Sequence, residues 1–486
     1  MRVPGDEKAA IHHPGLKGRK DMHRPVLLGL LLVAGGSAAS PPILSRTLPN
    51  GLEVLVVEFP GSPLVTVEIA VRNGSMTEAP EYNGLSHLYE HMFFKANAAI
   101  PDQEAFLARG RELGLEWNGS TNTERVNYFF TTTTDHFSDA MVFMRDAIVS
   151  PKFDPKEFDK ERVVVTGEID RNESNPNYYL YHEVQQHLFW KYPSRKDPLG
   201  NRKTVLGASV DQMRTIQERY YVPNNSVLMV AGGVKAEDVF AQAATLYAGW
   251  KPSAENPFKA YPLVTHPPLK KTELVLVEQP VRNVTGVFEW QGPSTVGDNV
   301  DLTYAADLQS TALRQPASRF QKALVDSGQC LQVGFSWSTQ MNTGPIQLSF
   351  VATRQKALGC IKAIQAQLPR MAHPAYLSAE ELQDAAHQLQ VDRALENEES
   401  SALAHTLTFW WTSAGLDYYR TYLEKTKAVT PADITRYMKT YVLGQPYVLG
   451  VLVSKDMEAA GLSRAALQKL AVTVKPHSGP KREPAR

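Results

Sequence analysis

The chain has 486 residues, with 51 lysines and arginines balanced by 51 aspartates and glutamates, and 43% of it is apolar. Zero net charge leaves no basic excess to displace counterions from nucleic acid, and the apolar share is too high for a chain disordered over most of its length. Two cysteines, Cys330 and Cys360, are too few for a disulfide framework or a cysteine metal site.

Taken in chain order, residues 1–21 are polar and read as an extension. Residues 22–39 follow the pattern of a cleavable export signal: His23 and Arg24, an apolar core from Val26 to Ala34, then small residues. That core is shorter than the roughly 20 apolar residues a membrane span needs, and no cysteine follows to carry a lipid, so no stable membrane anchor is expected. The expected mature chain begins near Ser40, in a periplasmic or secreted location. Such a compartment is oxidising, and there Cys330 and Cys360 could bridge, although spacing alone gives no geometry.

Glu53–Glu58 (EVLVVE) and Leu64–Val71 read as strands. Next comes Gly84-Leu-Ser-His87-Leu-Tyr-Glu90-His91-Met-Phe-Phe-Lys95. On a helix, residues i and i+4 share a face, so His87 and His91 can both direct a ring nitrogen at one ion. Glu90 can reach a water activated there. The order is H-x-x-E-H, the reverse of H-E-x-x-H; the bland alternative is two surface histidines on an amphipathic helix.

A catalytic zinc site needs a third protein ligand and an open position. Asp154-Pro155 with Glu157 predicts a capping-box helix start. On that helix Glu161 and Glu168 lie two turns apart, and they are the candidate donors. Their alternative is a solvated acidic face, against which stands the apolar run Val163–Val165. In His182-Glu183-Val-Gln-Gln-His187 the histidines are five apart and point away from each other, which rules against a metal site. Glu396–Glu399 reads as an exposed acidic helix face.

An internal repeat is visible at an offset of 220. Glu53–Glu58 matches Glu273–Glu278 (ELVLVE), each followed by a proline after one further residue. Tyr221-Val222 before the strand Val227–Ala231 matches Tyr441-Val442 before Tyr447–Val453. Lys251–Lys271 holds five prolines and reads as a linker. The expected plan is α+β: a catalytic half (40–250), the linker (251–271), a homologous half (272–475) and a flexible tail (476–486).

Together these residues resemble the pitrilysin/insulinase family of zinc metallopeptidases, the inverzincins. The likeness rests on HLYEH, on Glu168 lying 77 residues after His91, and on Gly84, Met92, Lys95 and Tyr220-Tyr221-Val-Pro223-Asn224-Asn225. It covers essentially the whole mature chain, whose length is similar to the short, processing-peptidase-like branch. The resemblance implies two homologous α/β sandwich-like halves forming half of a clamshell chamber. It implies one Zn2+ per chain, held by His87, His91 and Glu168, with Glu90 as general base and Glu161 orienting a ligand histidine. Asn122 sits where the family has an asparagine near the bound peptide, although NGSTNT departs from the family's wording.

The implied activity is that of an exported zinc endopeptidase acting on peptides or unfolded polypeptides. The alternative is a non-catalytic scaffold or assembly subunit on the same fold. In the resembling family an arginine and a tyrosine of a second half hold the substrate. The corresponding strand here, Gly344–Thr353, has Leu348 and Ser349 where the arginine is expected, and no tyrosine. The resemblance therefore implies a heterodimer with a sister chain lacking the zinc motif, with Arg354 or another cation, or a homodimer, as the alternative.

Overall fold

The computed structural model describes residues 41–471. The expected extension, export signal and tail lie outside the described residues.

Six strands form the first sheet: β1 (Leu44–Thr47), β2 (Glu53–Glu58), β3 (Leu64–Val71), β4 (Glu116–Thr121), β5 (Val126–Thr133) and β6 (Ser226–Gly232). Their order is β1-β2-β6-β3-β5-β4. Five more form the second: β7 (Glu273–Glu278), β8 (Val284–Gln291), β9 (Gln332–Trp337), β10 (Pro345–Ala352) and β11 (Val448–Val453), in the order β7-β11-β8-β10-β9. Each sheet has one parallel pair, with Glu53 opposite Val227 in the first and Glu273 opposite Val448 in the second. The sequence repeat is thus a repeat of topology, and the fold is mixed α/β in two homologous halves. The strands are rich in valine, isoleucine and leucine because each sheet is covered on both faces.

The covering is reciprocal. Helix Ser400–Ser413 lays Leu403, Leu407 and Trp411 on Leu55, Ala70 and Met229 of the first sheet. Helix Pro176–Leu188 lays Leu180, Val184 and Leu188 on Val275, Val287 and Val448 of the second. Gly450 in β11 permits that contact, since a Cβ there would stand 2.3 Å from Val184 Cγ2. A polar knot lies in the first of these interfaces. Glu68, fully buried on β3, accepts from Thr408 Oγ1 at 2.5 Å and Asn127 Nδ2 at 2.9 Å, and contacts His405 Nδ1.

Cys330 and Cys360 form a disulfide that ties the start of β9 to helix Ala357–Met371. Glu396–Glu399 is not a helix face. Helix Ala379–Glu396 ends there, with Glu398 N–H turned back to Leu395 O, and Glu398 and Glu399 lie in the exposed turn before the next helix. Among the described residues no helix is long and apolar enough to cross a membrane.

Candidate metal centre

Helix Leu85–Phe93 buries Leu85, Leu88, Tyr89, Met92 and Phe93 at helical spacing. Tyr89 stacks on Tyr221, and Phe93 on Tyr128, each with ring centroids 3.9 Å apart. With that face locked, His87, Glu90 and His91 share the other. The helix begins at Gly84, whose φ of 91° and whose approach to Gly200 (2.8 Å from a built Cβ) both require glycine. Buried Glu78 accepts from the N–H groups of Gly84 at 2.8 Å and Ser86 at 2.6 Å, so a carboxylate caps the helix start. Burial pushes the pKa of Glu78 up to about 7 against the pull of those two donors.

The third donor comes from helix Pro155–Glu173, which packs on helix Leu85–Phe93. Asp154 caps it by accepting from Lys156 N and Glu157 N. Glu157 does not complete a capping box; its carboxylate goes instead to Lys160 at 2.7 Å.

His87 Nε2 lies 3.3 Å from His91 Nε2 and 3.3 Å from Glu168 Oε2, and His91 Nε2 lies 3.8 Å from Glu168 Oε2. A tetrahedral zinc with ligands at about 2.0–2.1 Å separates them by roughly 3.3 Å, so these three atoms fit one ion. His87, His91 and Glu168 are the one such group of histidine, cysteine or acidic donors among the described residues. Behind them, Glu161 Oε2 meets His91 Nδ1 at 3.1 Å and its Oε1 meets Lys95 Nζ at 2.5 Å. An ionised carboxylate only accepts, so Nδ1 carries the His91 proton and Nε2 keeps its lone pair.

The electrostatics agree with a cation site. Burial opposes charge on His87, but its hydrogen bond to the Glu168 carboxylate and the fields of Glu90 and Glu168 outweigh it and raise its pKa. Burial would likewise raise the pKa values of Glu161 and Glu168. Their contacts with His91 and Lys95, and with His87 and His91, hold both below the usual range.

Glu90 stands beside the group, buried, with Thr121 Oγ1 donating to its Oε2 at 2.7 Å. Thr121 and Gly119 lie on β4, the outer strand of the sheet. A Cβ on Gly119 would come within 2.9 Å of Glu90 Oε1. Glu78, Gly119 and Thr121 were not singled out by sequence. The available signal was weak: a glycine inside a strand marks a close approach, whereas Glu78 reads no differently from exposed Glu81.

The apolar run beside Glu161 is divided. Val165 is buried, but Val163 and Val164 are 64% and 47% exposed, so the apolar run does not bury the stripe; Glu161 is buried where its carboxylate meets His91 on the motif helix and Lys95 just beyond that helix's end. Asn122 follows β4, and its Oδ1 accepts from Glu124 N and Arg125 N at 2.9 and 2.8 Å. That side-chain oxygen therefore builds a turn. His182 stacks on Tyr178 while His187 pairs with Glu273 at 2.7 Å, so these two histidines do not converge. In β10, Leu348 is buried, and the nearby Arg354 is engaged by Asp456.

The description Insulinase (Peptidase family M16) matches residues 53–199, which contain all four motif residues, and Peptidase M16 inactive domain matches residues 207–389. An uncharacterized zinc protease of Rickettsia felis is 26% identical over 211 residues, 43% of this chain and 51% of that protein. The match thus spans about half of that relative's length. Among solved structures, a protease from Helicobacter pylori has the same fold: TM-score 0.77 at 22% identity, over 85% of this chain and 99% of that one. The periplasmic protease PqqL from Escherichia coli has a TM-score of 0.68 at 18% identity, over 91% of this chain and 52% of that one. With both halves matched by models of one family and the donor group inside the first, the chain belongs to the insulinase family of peptidases, family M16.

Proposed function

We propose that the chain is a zinc-dependent endopeptidase hydrolysing peptides or unfolded polypeptides, with Glu90 as its general base. The observation that carries this reading is the convergence of His87 Nε2, His91 Nε2 and Glu168 Oε2 beside the Glu90 carboxylate. These three residues would hold zinc. When bound, zinc supplies Lewis acidity, polarising a carbonyl and acidifying water.

The remaining work belongs to the chain. Glu161 fixes the ring and tautomer of His91, and Lys95 keeps Glu161 charged. Glu90 Oε2 is oriented by Thr121, so the carboxylate can take a proton from the attacking water and deliver it to the leaving nitrogen. The outer edge of β4 offers backbone groups to an extended peptide, a mode that reads main chain more than side chains, so low sequence selectivity follows. Asn122 keeps a place at the end of that edge, as a secondary contact to the peptide.

Export belongs to the same proposal. Residues 22–39 have the composition of a cleaved signal, and a disulfide such as Cys330–Cys360 persists in oxidising compartments. The chain works with a sister chain that supplies the substrate-holding arginine and tyrosine absent from β10. The isolated full chain should bind one zinc and cleave casein slowly. Cleavage should stop with 1,10-phenanthroline, return with added zinc, and rise when the sister chain is added. Casein cleavage indifferent to the chelator would refute the zinc reading, and full turnover by the isolated chain would refute the sister chain.

A further inference from the structure

The second half of the chain holds the turn after β4 at two places: helix Ser400–Ser413, where His405 O and Thr408 Oγ1 accept from Arg125 Nη1 at 2.7 and 2.8 Å, and residues 340–343. Residues Gln340–Thr343 lie in the connection from β9 to β10, and two buried ionisable residues of the first half bind them. Glu124 Oε2 accepts from Met341 N at 2.8 Å and its Oε1 from Asn342 N at 2.9 Å. Lys196 Nζ donates to Asn342 O at 2.5 Å and Thr343 O at 2.9 Å, and also to Gln340 Oε1. Glu124 is 2% exposed and Lys196 8%. Burying either charge is costly unless it is hydrogen-bonded, and the turn supplies those bonds. Burial accordingly raises the pKa of Glu124 and lowers that of Lys196 to about 8. Thr343 adds strain, at a φ of 53° that a β-branched residue rarely adopts.

Glu124 is also part of the turn that ends β4. Asn122 Oδ1 accepts from the N–H groups of Glu124 and Arg125, and Asn122 N donates to Arg125 O at 2.9 Å. The next residue back along the chain is Thr121, whose hydroxyl donates to Glu90. Three residues of tightly hydrogen-bonded backbone therefore separate the grip on the second half from the carboxylate of the base.

We propose that the second half positions the general base: the grip of Glu124 and Lys196 on residues 340–343 fixes the turn at 122–125, and Thr121 transmits that placement to Glu90. This rests on the reading of Glu90 as base. Thr121, Glu124 and Lys196 are then positioning residues, and the second half contributes to turnover without touching the reacting atoms.

The test uses the zinc-loaded full chain. Hydrogen exchange should quicken by at least about tenfold at residues 119–125 in Lys196→Met, although the Lys196 ammonium hydrogen-bonds the other half. Unchanged exchange there would overturn the coupling. In casein or fluorogenic-peptide cleavage, Thr121→Val should lose about 10- to 100-fold in kcat, with KM within about threefold and zinc content intact, as displacement of an oriented group predicts. Thr121→Ser, which keeps the hydroxyl, should recover most of it. Glu124→Ala, or Glu124→Gln if alanine does not fold, should slow the wild type yet add less than about twofold in the Thr121→Val background. Equal losses in both backgrounds would overturn transmission through Thr121. Full kcat in Thr121→Val alongside an inactive Glu90→Gln would sink this inference alone, whereas an active Glu90→Gln would sink the peptidase mechanism beneath it.

Discussion

Glu161 Oε2 and His91 Nδ1 are 3.1 Å apart, on two helices that meet at the donor group. The contact decides which nitrogen of His91 faces the other donors. Glu161→Gln keeps the shape but can turn an amide N–H toward His91 and removes the charge that answers Lys95. Zinc affinity, measured by chelator competition, should fall about 10- to 100-fold, the range for partners that orient ligand histidines. An unchanged affinity would mean that packing alone orients the ring.

Gly119 is held to glycine by the base. In Gly119→Ala the new methyl group would sit 2.9 Å from Glu90 Oε1 and 3.1 Å from Phe94 Cε2. The flexible carboxylate gives way first, so zinc content should stay whole while kcat drops by at least about tenfold. Loss of zinc in this variant would place the disturbance in the histidines instead.

Stability should fall as pH rises, in part through Glu289. It is fully buried on β8, with Gln347 Nε2 at 3.0 Å from Oε1 and, among the described residues, no hydrogen-bond partner for Oε2. Burial raises its pKa from 4.5 to about 7. The folded state therefore holds a proton that the unfolded chain has already lost. Its stabilisation is complete below about pH 4.5 and is lost as pH rises through about 7, an effect on the order of 2–3 kcal/mol. Urea unfolding at pH 5 and pH 8 should show Glu289→Gln with the shallower loss. Parallel pH dependences in the two proteins would rule Glu289 out as a source.

The disulfide closes a loop of 30 residues in sequence separation between two buried cysteines. Cross-links over loops of this length contribute about 2–4 kcal/mol, so the Cys330→Ala, Cys360→Ala double variant should unfold at lower urea concentration by that amount. Exported protein should also gain two alkylatable thiols only after reduction. Free thiols in the exported protein would contradict the pairing.

The architecture was legible where periodicity and repetition speak. The matched EVLVVE and ELVLVE runs became β2 and β7, each with its parallel partner, because buried parallel strands are written as continuous β-branched runs. H-x-x-E-H was legible because i,i+4 spacing on a helix is enough to bring His87 and His91 together. Glu161 and Glu168 were placed at the site through the family resemblance, and the other contacts made by distant approach escaped. Glu78 capping the motif helix, Thr121 and Gly119 against Glu90, and Glu124 and Lys196 around residues 340–343 are pairings set by tertiary packing, not spacing. The acidic run at Glu396–Glu399 misled because charge pattern alone does not say where a helix stops.

The central claim is that Glu90 does chemistry while His87, His91 and Glu168 hold the metal. It is tested most directly by measuring zinc content and casein cleavage together on wild type, Glu90→Gln and His91→Ala. Glu90→Gln should keep one zinc per chain and lose activity by about 10²–10⁴, the contribution of a general base. His91→Ala should lose the zinc, since two protein ligands remain. Near-normal turnover in Glu90→Gln, or a full zinc complement in His91→Ala, would contradict the account.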